Sequence, residues 1–237
     1  MSKSAKKDNY WIPLADLMTV LMVIFLFMAI SYMVVIKKKQ NEKDKIIKDF
    51  QDSKSELLEE LRNEFNEDFK ATKWNAVLDS NDLSIRFVNE EILFDYNQSE
   101  IKPKFKEILA DFFPRYLKII LQPKYSDKIA EVRIEGHTSL EGDYIYNLKL
   151  SQDRTRNVVE YLRGLDCFNI IKADEQTRLQ YWLTANGLSY GRSLDNNGNL
   201  TYKTHNLPDN MKCRRVEFRI VTTSDELIKQ AIKKMKE

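Results

Sequence analysis

The chain has 237 residues, with 38 Lys and Arg against 36 Asp and Glu, a net charge of +2. That balance, without any basic block interleaved with aromatics, gives no case for a nucleic-acid partner. A charged fraction of 31% beside 43% hydrophobic residues suits a folded domain plus a solvated helix, and no internal repeat or Gly/Ser- or Pro-rich linker divides the chain.

Trp11-Ile12-Pro13-Leu14-Ala15-Asp16-Leu17-Met18-Thr19 runs into an apolar stretch that continues to Ile36 without another charged residue. From Leu14 to Ile36 a helix would extend about 34 Å, enough to cross a hydrocarbon core near 30 Å with some tilt. Pro13 suits the first helical turn, and Tyr10 and Trp11 fall where an interfacial aromatic belt sits. A cleaved signal peptide is the rival reading. The run is too long for one, and Lys37-Lys38-Lys39 stands where a small-residue cleavage site would be. Asp16 lies inside this span. Inserting a carboxylate there costs about 2.5–3.5 kcal/mol even on the lenient insertion scale, so Asp16 is a candidate ion carrier. Thr19, one turn on, is a candidate to position that carboxylate or coordinate the ion, with packing as the alternative. Lys3, Lys6 and Lys7 before the span match Lys37, Lys38 and Lys39 after it, so charge alone gives no orientation.

Residues 37–72 alternate in charge and contain no Gly or Pro. Apolar residues recur at Ile47, Phe50, Leu57, Leu61 and Phe65, with Ile46, Leu58 and Phe69 beside them, a helical spacing with one narrow stripe. Such a stripe serves either a paired coiled-coil stalk or a stalk docked on its own domain. The paired stalk is the favoured expectation, because a single span with one buried carboxylate makes little sense alone.

Roughly 160 residues remain, one domain's worth. Leu83, Ile85 and Phe87 alternate as a strand, and Ile101 to Leu121 reads as a helix with a break at Pro114. Ile129 to Glu135 is a second strand, Leu179 to Ala185 a third, and Val216, Phe218 and Ile220 mark the last, after a polar loop from Asp195 to Lys212. Ser151 reads as the N-cap of a helix reaching Arg163, with Gly164 as its stop. Strands alternating with helices give a two-layer α/β sandwich. Chemistry concentrates between Glu135-Gly136-His137-Thr138-Ser139-Leu140-Glu141-Gly142 and Tyr146-Asn147-Leu148-Lys149-Leu150-Ser151-Gln152-Asp153-Arg154. A helix opening at Ser151 would present free N–H groups beside the Arg154 guanidinium, a pocket for a carboxylate, with Tyr146 and Leu150 as walls and Asn147 as a polar contact. Spacing alone leaves Arg154 between that role and a surface ion pair. His137 reads as a structural loop residue, since His205 is remote and offers no metal partner. Ser139 beside His137 lacks an elbow motif and a placed acid, so no hydrolase or other enzyme is expected.

Ile134-Glu135-Gly136-His137-Thr138, Tyr146-Asn147, Leu150-Ser151, Arg154 and Arg214-Arg215-Val216-Glu217 together resemble the OmpA-like peptidoglycan-binding domain, over roughly Leu83 to Val221. The resemblance implies that Thr138, Ser139, Tyr146, Asn147, Leu150 and Arg154 line a pocket for the diaminopimelate of the wall stem peptide, with Arg154 on a carboxylate. Ser139 stands where that family has an Asp for the ligand amine, and Glu141 or Asp143 is the substitute to consider. Cys213 stands where Asn is usual. Trp11 and Ala15-Asp16-Leu17-Met18-Thr19 resemble the start of the flagellar stator B (MotB) family, which implies ion binding at Asp16, with H+ or Na+ carried and no other cofactor. The compact stalk, Ser139 and the polar insertion resemble more closely the wall-anchored B subunits of anti-phage defence motors. The implied organisation is a cytoplasmic tail (1–13), a transmembrane helix (14–36), a helical stalk (37–72), an OmpA-like domain in the periplasm (73–223) and a C-terminal helix or tail (224–237). The implied partners are a second copy of the chain, a pentameric stator-A-like multi-span subunit and peptidoglycan in the inner-membrane setting. The same fold implies that Cys167 and Cys213 approach one another. A disulfide there would close about 46 residues and contribute roughly 4 kcal/mol, the alternative being two buried thiols.

Overall fold

A computed structural model describes residues 11–70, 72–88 and 90–223. The tail at 1–10 and the C-terminal segment 224–237 lie outside the described residues. The chain divides into two units, Met1–Asp49 and Phe50–Glu237.

Helix α1 runs over Trp11–Phe65. Within the first unit, the large apolar side chains from Leu14 to Ile36 are all exposed, and by length and composition this is the helix among the described residues that can cross a membrane.

In the second unit, β1 (Ala76–Asp79), β2 (Ser84–Phe87), β3 (Ile129–Gly136), β4 (Leu183–Gly187) and β5 (Val216–Thr222) form one sheet in the order β1-β2-β5-β3-β4. All neighbours are antiparallel except β3 and β4, which pair in parallel. The helices are α2 (Glu90–Leu93), α3 (Pro103–Ile120), α4 (Tyr144–Arg163), α5 (Asp166–Ile170), α6 (Ala173–Trp182), α7 (Thr201–Thr204) and α8 (Asn210–Cys213). Helix α3 buries Phe105, Ile108, Leu109, Phe112, Tyr116 and Leu117 at helical spacing against the sheet. Pro114 lies within it without ending it.

The later part of the stalk's apolar stripe, Leu57, Leu61 and Phe65, lies in this core, which differs from the paired coiled coil that its spacing suggested, while Ile47 is exposed. Leu57, Leu61 and Phe65 are at most 2% exposed. Phe65 stacks near Phe112 (5.2 Å between centroids) and Trp74 (5.8 Å). Each buried side chain is flanked by an acid that is paired across the joint. Glu56 and Glu60 reach Lys124, while Glu64 and Asp68 meet Arg115 at 2.6 and 2.8 Å. Arg115 also sits 4.7 Å over the Phe65 ring. The stripe therefore has an intramolecular partner from Leu57 onward.

Two further sequence expectations are corrected. Leu179 and Trp182 are buried three residues apart on α6, so the strand begins at Leu183 rather than Leu179. Cys167 and Cys213 are both free thiols. Cys213 accepts the Leu194 N–H at 3.2 Å and is fully buried, while Cys167 packs among the residues around α5, so the expected bridge is absent and each thiol fills space.

Candidate functional site

Helix α4 begins at Tyr144, two turns before Ser151. Asp143 is its N-cap, its carboxylate accepting the Ile145 and Tyr146 amides at 2.8 and 3.2 Å. Ser151 is internal and fully buried. Its hydroxyl donates to the Leu148 carbonyl and accepts the Ser189 N–H. Arg154 is thus deep in the helix and gains nothing from the helix N-terminus. What unites the residues is periodicity. Asn147, Leu150 and Arg154 recur at three and four residues and share one face.

That face meets two loops around a cavity of about 30 Å³, lined by Tyr96, Asn97, Thr138, Ser139, Glu141, Asn147, Leu150, Arg154 and Arg214. Five of the six expected residues therefore converge. The sixth, Tyr146, is 49% exposed on the adjoining turn and does not line the cavity. Asn147 donates to the Glu141 carbonyl at 2.7 Å and fixes the loop after β3. Arg154, 6% exposed, donates to the carbonyls of Gln98 (2.8 Å) and Asp95 (3.3 Å) and lies 4.8 Å over the Phe94 ring. One turn on, Asn157 holds the Ser99 carbonyl at 2.7 Å. This clamp sets the wall carrying Tyr96 and Asn97, the latter at φ 55°, a left-handed conformation that Asn tolerates. Thr138 Oγ1 is buried at the cavity without a hydrogen-bond partner among the described residues.

Close approach of backbones shapes the same end of the sheet. A Cβ on Gly187 would lie 2.2 Å from the Gln152 backbone nitrogen, and one on Gly136 2.8 Å from the Ser151 carbonyl oxygen. Glycine at these strand ends lets α4 sit against β3 and β4.

Beneath the loop lies a buried ion network. Arg215 binds Glu217 at 2.5 Å, Arg192 grips both oxygens of Glu135 at 2.9 and 3.1 Å, and Arg219 reaches Glu217 at 3.1 Å. Arg86 bridges Glu217 (3.2 Å) and Asp79 (2.6 Å). His137 Nε2 stands 3.7 Å from Glu135 and 3.8 Å from Glu217. Burial, then the Arg215 charge, push the His137 pKa down to about 4, so its ring is neutral at pH 7. Burial raises the Glu217 carboxyl, but Arg215, His137 and Arg86 outweigh it and hold the group well below the usual carboxylate range. Glu135 is likewise lowered: against its burial stand His137 and the charges of Arg219 and Arg192. Glu135, His137 and Glu217 have metal-ligand spacing, yet guanidinium groups already occupy their carboxylate oxygens. A divalent cation would add buried positive charge to a compensated cluster.

Adjacent residues Arg214 and Arg215 diverge at the bend between α8 and β5: Arg215 enters the buried network while Arg214 reaches the cavity. Sequence reading noted the pair but gave Arg214 no task, and it passed over Tyr96 and Asn97 entirely. The paired arginines opening a strand were the available signal for Arg214.

In the apolar helix, the Thr19 hydroxyl donates to the Ala15 carbonyl at 2.8 Å. Its single proton therefore serves the helix backbone rather than the Asp16 carboxylate.

The OmpA family profile matches residues 93–167, the stretch carrying β3, the pocket loop and α4. The solved structure of a MotB-like protein from Desulfovibrio vulgaris shares 21% identity, covering 74% of this chain and 94% of its own, with a TM-score of 0.48. A protein named Zorya protein ZorB from an ETEC strain of Escherichia coli is 29% identical, over 81% of this chain and 76% of its own. A second Zorya protein ZorB, from Escherichia coli strain Crooks, is 34% identical over 98% of this chain and 96% of its own length. With identity sustained from the apolar helix through the pocket domain, the chain belongs to the ZorB family of Zorya proteins.

Proposed function

We propose that the chain is a peptidoglycan-anchored, stator-B-type subunit of an ion-driven membrane motor in anti-phage defence. The observation that carries this reading is the convergence of Thr138, Ser139, Asn147, Leu150 and Arg154 on one cavity, in a chain whose other unit is a membrane-length helix bearing Asp16. The cavity takes a carboxylate of the wall stem peptide and holds the chain still. Asp16 takes up H+ or Na+, and its neutralisation and release alter how a multi-span partner of the stator A type packs around the helix. One charge crossing 100 mV releases about 2.3 kcal/mol, enough for a small rotary step. The family resemblance supplies a dimer of this chain within a pentameric partner, the N-terminus in the cytoplasm and the pocket domain in the periplasm of an inner-membrane complex. The stripe at Leu57, Leu61 and Phe65 is engaged within its own domain, so it is not the dimer contact.

Two variants test the two halves. Arg154→Ala is expected to abolish co-sedimentation of the detergent-solubilised chain with purified sacculi. Asp16→Asn is expected to leave expression, assembly and sacculus binding intact while abolishing protection against phage. Protection retained by Asp16→Asn would reduce the chain to a passive tether. Flagellar motility restored in a stator-B deletion strain, without phage protection, would assign it to the flagellum.

A further inference from the structure

An open groove of about 410 Å³ lies between the second half of α3 and the short α5. Its walls are apolar, with Pro114, Leu117 and Leu121 on one side and Cys167, Ile170 and Ile171 on the other. Ile170 is 81% exposed beside it. A contiguous apolar surface of this kind on a folded domain marks a contact site.

The chain delivers an occupant to the same place. Strand β5 ends at Thr222, and Thr223 is tied to the turn that joins α3 to β3. Its N–H donates to the Lys128 carbonyl at 2.9 Å and its hydroxyl to the Asp127 carbonyl at 3.0 Å. Pro123 lines the groove and opens the single 3₁₀ turn Pro123–Tyr125, which leads directly into Asp127. Thr223 has left the strand and is helical. Thr222 and Thr223 stand three residues before Asp225 and Glu226, the spacing of a capping box, with both acids in the first turn that would follow. Beyond them Leu227, Ile228, Ala231, Ile232 and Met235 fall on one helical face and Lys229, Lys233 and Lys236 away from it. A helix over 224–237 would run about 21 Å, against about 10 Å of α3 between Pro114 and Leu121. A helix this short is marginal in water unless its apolar face is covered.

We propose that residues 224–237 fold back as an amphipathic helix and seat the stripe of Leu227, Ile228, Ala231 and Ile232 in the groove between α3 and α5 of their own domain. The stripe needs cover, the groove needs an occupant, and Thr223 holds the start of the segment beside the groove's Pro123 end. Tethering favours this segment over a second copy of the chain, because a short connection gives it an effective concentration in the millimolar range. Once seated, it ties the end of β5 to α3 and α5 and withdraws Ile170 and Cys167 from solvent.

Cys167 reports on the groove directly, since Cys213 is fully buried and silent. The detergent-solubilised full chain and a chain stopped after Thr223 are treated with N-ethylmaleimide and followed by intact mass. Cys167 is expected to react roughly tenfold more slowly in the full chain, where modification waits for local opening. Equal rates overturn the proposal. Modification of Cys213 in the shortened chain would signal unfolding, and a cross-link scan in the full-length chain then decides. With diamide as oxidant, Ile228→Cys, Ala231→Cys or Ile232→Cys is expected to form an intrachain disulfide with Cys167, mapped by peptide mass, while Lys233→Cys on the opposite face forms none. Bonds formed equally from both faces, or from neither, overturn the docking. A covalent dimer through Cys167 in place of the intrachain bond assigns the groove to a second copy and overturns it as well.

Discussion

His137 shows what a single buried residue does to the pH response of this domain. Its pKa falls from an ordinary value near 6.5 to about 4 in the folded chain. Between those values the unfolded chain binds a proton that the folded chain does not, so folding stability drops as pH falls from 6.5 to 4. This group alone accounts for about 3 kcal/mol over that window. Glu217 and Glu135, both depressed, add losses of the same sign once pH falls through the carboxylate range. Urea melts at pH 7 and pH 4.5 should therefore show a marked drop, and in His137→Gln the part of the slope above pH 5 should flatten. An unchanged slope in that variant would assign the acid sensitivity wholly to the carboxylates. The resemblance marked Glu135, His137 and Glu217 only as motif letters. Of their partners, Arg219 shares β5 with Glu217, whereas Arg86 and Arg192 come from two other segments, which no local spacing brings there.

The elements divide by how local their causes are. Strand β5 and most of β2 and β3 were legible, because apolar residues alternate there with polar or charged ones and write period two into the sequence. The start of α4 was not, since Asp143 and Ser151 are both good caps and only the tertiary contact between Ser151 and Ser189 makes the latter internal. Strand β1, as short as β2, reads Ala-Val-Leu-Asp and has no alternation of apolar and polar residues to show a period. The stalk stripe was legible as a helix but not in its destination, because the same apolar spacing serves a second copy or a sheet. Its place in the core yields a prediction. Phe65→Ala should destabilise the domain by about 3–5 kcal/mol, because it removes a fully buried ring and leaves a cavity. In a paired stalk the same change would instead weaken association and spare the melting of the domain. Thermal melts of the solubilised chain at two protein concentrations distinguish the two.

At the scale of the whole molecule, the docked stretch of α1 moves the edge of the folded domain some two dozen residues ahead of the border that composition suggested. Lys37, Lys38, Lys39, Lys43, Lys45 and Lys48 are all exposed, whereas from Leu57 onward each apolar residue of the stripe is covered. Brief trypsin treatment of the solubilised chain should accordingly release a resistant fragment whose N-terminus, read by mass spectrometry, lies between residues 38 and 50. Accumulation of a fragment starting near residue 73 would contradict the docking. Anyone expressing the second unit by itself meets the same boundary: a piece begun at Trp74 leaves a greasy trench in the core where Leu57, Leu61 and Phe65 had been, and is bound for inclusion bodies, while one begun near Phe50 carries its own lid.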